Sequence, residues 1–117
     1  MSFLSAQLRQ SVLAALADRE IVKILDCALV RERSVNEVIR ECNIPHTTAY
    51  RKIKWLLDKR LLISTRNEIT EEGKKFTLFR SVFKSLRINY EYDNIVVYAE
   101  YNIDPVENVT EKLLSIH

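Results

Sequence analysis

Residues 41–62 read ECNIPHTTAYRKIKWLLDKRLL, a short turn followed by a basic run whose apolar residues recur at helical spacing. Asn43 tolerates the left-handed conformation at a helix end, and Pro45 disfavours a helical conformation at Ile44, so one helix stops near Cys42-Asn43. Proline is accepted in a first helical turn, which starts the next helix at about Pro45 or His46. Within that helix Ala49, Ile53, Leu56 and Leu57 form an inward stripe, and Thr47, Thr48, Tyr50, Arg51 and Lys54 lie mostly off it. Small Ala49 lets the preceding helix approach. Two helices joined by a tight turn, the second basic with small polar residues at its start, have the form of a helix-turn-helix whose second helix can enter a major groove.

Upstream, Leu4, Leu8, Val12, Leu13 and Leu16 fall at helical spacing, and a second series runs through Ile21, Ile24, Leu25, Ala28 and Leu29. Asp18 is placed to cap the second helix. SVNE at 34–37 sets Ser34 three residues before Glu37, the capping-box arrangement, and starts a short third helix with Val35, Val38 and Ile39 apolar. Downstream the period changes: LLIST at 61–65 reads as a strand, RNE at 66–68 as a turn and KKFTLFRS at 74–81 as a returning strand, with ITEEGKK at 69–75 adding a helical turn at its base. VFKSLRINY at 82–90 and IVVYAEYN at 95–102, joined by EYDN, make a further antiparallel pair. DPVENVTEKLLSIH at 104–117 carries an Asp cap, an early Pro and apolar Val106, Val109, Leu113 and Ile116, and reads as a last helix. The expected order is four helices, a β-meander and one helix.

A chain of 117 residues with 47% hydrophobic content suits one domain with an ordinary core. Its net charge of +2 hides an asymmetry: residues 44–87 hold eleven bases and four acids, residues 1–43 are balanced, and residues 88–117 hold one base and six acids. A basic middle suits a polyanion, because each neutralised phosphate releases counterions. No apolar run approaches the roughly 20 residues needed to span a bilayer, and the N-terminus lacks the flanks of a signal peptide, so no membrane partner is expected and the protein is expected to be cytoplasmic. Cys27 and Cys42 form no CxxC and no zinc or thiol redox site. Without a Gly-rich phosphate loop, nucleophile motif or paired metal ligands, the chain is read as no enzyme and as needing no cofactor or metal. Phe76, Phe79, Phe83, Tyr90, Tyr92, Tyr98 and Tyr101 read as strand core or a dimer surface before a stacking platform for single strands.

IPHTTAYRKIKWLLDKRLL together with ITEEGKKFTLFRS resembles the winged-helix transcription regulators of the ArsR-like group, especially small archaeal ones, over roughly residues 18–82. Thr47, Thr48, Ala49, Tyr50 and Arg51 match that group's pattern, while Arg60 stands where Gly is usual and the Cys-x-Cys of the metal-sensing members is missing. With the reading of the flanking residues, the expected fold is α+β, mainly helical: a winged helix-turn-helix with a β-hairpin wing, an extra antiparallel strand pair and terminal helices, in one domain spanning 1–117. The resemblance implies a homodimer built from the terminal segments 1–17 and 104–117, whose apolar stripes serve equally well to pack on the chain's own core. The expected function is sequence-specific regulation of transcription on double-stranded DNA; the alternative is a winged-helix protein–protein module of a larger assembly. His46, Thr47, Thr48, Tyr50, Arg51 and Lys54 are the expected DNA-contacting residues on the helix, with Arg66, Lys74 and Lys75 on the hairpin. His46 can equally be a plain surface residue, Trp55 is read as structural, and no small-molecule effector is identifiable.

Overall fold

The computed structural model describes residues 2–102. They form an α+β unit whose elements are β1 (Ser2–Phe3), α1 (Ala6–Leu16), α2 (Arg19–Val30), α3 (Val35–Cys42), α4 (His46–Asp58), β2 (Leu62–Ile69), β3 (Lys75–Ser81), β4 (Phe83–Glu91) and β5 (Asn94–Tyr101). The helix expected over 104–117 lies outside the described residues.

The helix boundaries follow local chemistry. Asp18 accepts from the backbone N–H groups of Glu20 and Ile21 at 3.0 and 3.1 Å and opens α2. Ser34 and Glu37 close the expected capping box on α3. Asn43 ends α3 at φ 54°, and α4 begins at His46 after Pro45. At the far end of α4, Arg60 takes φ 64° in the position where Gly would be free of strain, and the Leu61 N–H reaches back to the Leu56 carbonyl at 2.9 Å. That six-to-one bond is the Schellman closure, which satisfies a carbonyl the helix leaves orphaned. It turns the chain directly into β2.

The core is assembled from one face of each helix. Val12 and Ala15 of α1, Ile24 and Ala28 of α2, Val38 of α3, and Ala49, Ile53 and Leu56 of α4 are buried around Phe79 of β3 and Val97 of β5. Each large apolar side chain removed from water contributes about 1.5–3 kcal/mol, so the shared interior outweighs any one cap. Leu4 is buried as well. Leu4 and Val12 of the N-terminal stripe thus pack on the chain's own core, while Leu16 is exposed.

The strands depart from the expected meander in three respects. First, RNE is no turn: β2 runs through it, pairing Arg66 with Leu78, Asn67 with Thr77 and Glu68 with Phe76. The reversal comes at residues 70–74, where Gly73 takes φ 83° and the Thr70 hydroxyl accepts from the Lys74 N–H. Both faces of this outer ribbon are largely exposed, so its residues carry no apolar alternation to mark a strand. Second, β3 and β4 do not pair. β2 and β3 make one two-stranded sheet, while the other sheet has the order β1-β5-β4. Only Val82 separates β3 from β4, and one residue supplies a bend but no hairpin. Third, Ser2–Phe3 form a short strand on β5, opposite Ala99 and Tyr98. The β4–β5 hairpin itself is as expected, closed by Tyr92 and Asp93 at φ 41° and 67°, the positive-φ pair of a type I′ turn.

Candidate nucleic-acid interface

The turn Asn43-Ile44-Pro45 joins α3 to α4, and Ile44 is buried beneath it. With Ala49, Ile53 and Leu56 committed to the core, His46, Thr47, Tyr50, Arg51 and Lys54 are exposed along the opposite stripe of α4. Thr48 sits between the two faces, half-buried. The His46 and Tyr50 rings lie 4.7 Å apart, a one-turn pair that steadies the Tyr50 ring at the surface. Pro45 provides no side-chain cap, so the first-turn N–H groups of α4 keep no side-chain acceptor there. Trp55, half-buried against the core, has the structural place expected of it.

Among the described residues, Arg51 and Lys54 take part in none of the salt bridges. Lys52, between them in sequence, is differently placed. Its ammonium lies 2.6 Å from Asp18 and 3.0 Å from Glu20, tying α4 to the start of α2. The hydrogen bond from Lys52 holds the Asp18 carboxyl below its ordinary range, and the same bond raises the Lys52 ammonium. One cation of the basic middle is thus used inside the fold.

The hairpin cations separate in the same way. Lys74 and Lys75 are exposed at the β2–β3 turn. Arg66 stands apart in the body of β2, where its guanidinium bonds Glu32 at 3.0 Å and Glu68 at 2.6 Å. The Thr65 hydroxyl also donates to Glu32, and with Arg66 it lowers that carboxyl. Lys59 and Arg60, which are not among the expected DNA-contacting residues, are exposed where α4 meets the hairpin. Their signal for such a role was membership of the basic run.

The Cys27 thiol donates to Glu41 at 3.0 Å and is pushed up to about 12 by burial and by that carboxylate, both of which favour the protonated form. Among the described residues no cluster of three His, Cys, Asp or Glu side chains is arranged to hold a metal ion. No described helix is long and apolar enough to cross a membrane. A cleft of about 120 Å³ between α1, α2 and β4 is lined chiefly by apolar residues such as Leu16, Leu25, Leu29 and Phe83, and by none from α4. The sequence matches no protein-family model, and no curated protein matches it.

Proposed function

We propose that this protein regulates transcription by binding double-stranded DNA as a winged helix-turn-helix, with α4 in the major groove, the β2–β3 hairpin as the wing, and two copies acting together on an inverted repeat. The observation that carries this reading is the outer stripe of α4. Thr47, Tyr50, Arg51 and Lys54 are exposed on a helix whose other face is buried, and the two cations have no internal partner among the described residues. An α-helix fits the major groove, short Thr side chains allow close approach, and Arg grips guanine or phosphate through two parallel hydrogen bonds. Lys74 and Lys75 at the hairpin turn suit the flanking phosphate backbone, and Arg66, exposed but bonded to Glu32 and Glu68, would have to exchange those partners for a phosphate. The competing reading as a protein–protein module needs no cations on both α4 and the hairpin.

Binding of the purified chain to random duplex DNA across a salt series tests the proposal. Affinity should fall steeply as salt rises, because counterion release drives phosphate contacts. Arg51→Ala should keep the fold and weaken binding by about 1–3 kcal/mol, relaxing preference at one base position if Arg51 reads a base edge. A folded Arg51→Ala protein with parental affinity would remove Arg51 from the interface.

A further inference from the structure

The β4–β5 hairpin extends beyond the core that it helps to cover. Directly opposed residues of an antiparallel pair share a face, and the register opposes Leu86 to Ala99, Ile88 to Val97 and Tyr90 to Ile95. One face is therefore apolar from root to tip. At the root Val97 and Ala99 are buried, but at the tip Ile88 is 43%, Ile95 36% and Tyr90 76% exposed. The other face of β4 carries Arg87, Asn89 and Glu91.

Among the described residues β4 is also the outer strand of its sheet. Edge strands are commonly blunted by lysine, proline or a bulge, because their free N–H and C=O groups template pairing with another chain. The irregularity in this hairpin lies at Phe83/Ser85, near the root. Residues 86–91, LRINYE, are regular and contain no Lys, Pro or Gly. Glu91 and Asn94 flank a two-residue turn and so exchange hydrogen bonds, which by the antiparallel alternation directs the backbone groups of Ile88 and Tyr90 away from β5.

Charge selects the occupant. Arg87 and Glu91 lie on one face of the same strand, roughly 13 Å apart at the rise of a strand, too far to pair with each other. Among the described residues neither takes part in a salt bridge. We propose that β4 is the self-association edge of this protein: two copies pair β4 with β4, antiparallel, about a two-fold axis at Asn89. In that register each Arg87 faces the partner's Glu91, and each Ile88 faces the partner's Tyr90 on the apolar side. Moving the axis to Ile88 would oppose Arg87 to Asn89 and Glu91 to Ser85. Moving it to Tyr90 carries Arg87 past the end of the partner's strand. The register at Asn89 satisfies both charges and extends the apolar face across the axis.

This edge would supply the homodimer of the function proposed above, but it uses no residue of α4, so duplex binding can fail without moving the association constants measured here. Sedimentation of the full chain at tens of micromolar is the test. The parent should be a dimer; Arg87→Glu alone and Glu91→Arg alone should each weaken association about tenfold or more, by setting like charges opposite one another. The double variant R87E/E91R should restore the dimer, since it exchanges the partners. These side chains are exposed, and circular dichroism checks that each variant stays folded. A monomeric parent, a dimer indifferent to the single swaps, or a double variant that stays weak would overturn the proposal.

Discussion

Asp18 joins two helices through one carboxylate. Its Oδ1 caps α2 by accepting from Glu20 and Ile21, while Oδ2 takes the Lys52 ammonium of α4. The two roles separate under substitution, because Asn caps a helix about as well as Asp but carries no charge. The folded Asp18 pKa is depressed, so its contribution is present above the ordinary value of 3.8 and is lost as pH falls through the lower folded value. Lys52 is raised, so its contribution is present below 10.5 and is lost as pH climbs through the higher folded value. The pair is at full strength between those limits. Asp18→Asn should lower stability within that window and make the acid limb shallower, whereas Asp18→Ala should fall about 1 kcal/mol further by losing the cap. Urea unfolding at neutral and acid pH reads both effects; an acid limb unchanged in Asp18→Asn would show that the ion pair contributes nothing.

Among the elements, the two hairpins differ in what their ends carry. The β2–β3 ribbon ends in a five-residue reversal with Lys74 and Lys75 exposed, whereas the β4–β5 hairpin ends in Tyr90 and Tyr92 with Glu91 and Asp93. If the first touches DNA phosphates, replacing Lys74 and Lys75 with Ala should weaken binding to all duplexes alike. The slope of log affinity against log salt should flatten by about two. A loss confined to one operator, with nonspecific binding intact, would assign those lysines to base reading instead. Local chemistry announced most helix ends: Asp18, Ser34, Asn43 and Pro45 each act through neighbours a few residues away. The β2 extension through Arg66-Asn67-Glu68 had no such signal, because only the ladder to Phe76–Leu78 makes those polar residues a strand.

Across the described residues, the first segment locks onto β5 and the last onto α2 and β3. The Leu4 N–H bonds the Val97 carbonyl at 3.0 Å, and the Asn102 side-chain amide bonds the carbonyls of Leu29 and Ser81. Leu4 is buried in the same core as α1 and β5. Leu4→Ala should therefore cost about 2–5 kcal/mol in unfolding free energy, the usual range for a buried leucine. If Leu4 served only a dimer contact, the loss would vanish at protein concentrations too low for association, so urea midpoints at two concentrations separate the roles.

The outer stripe of α4 was legible in the sequence because the apolar period identifies which residues turn inward, and subtraction leaves Thr47, Tyr50, Arg51 and Lys54. That argument needs only the geometry of one helix. The availability of each cation was not legible. Lys52 and Arg66 meet their acids, Asp18 and Glu32, across 34 residues of chain each, and no spacing rule reaches so far. The same holds for the three-stranded sheet, which joins β1 to β5 from opposite ends of the described residues. Short-range hydrogen bonding and periodicity thus determined the helices and their ends, while contacts between distant elements decided which strands pair and, among the described residues, which cations meet an acid.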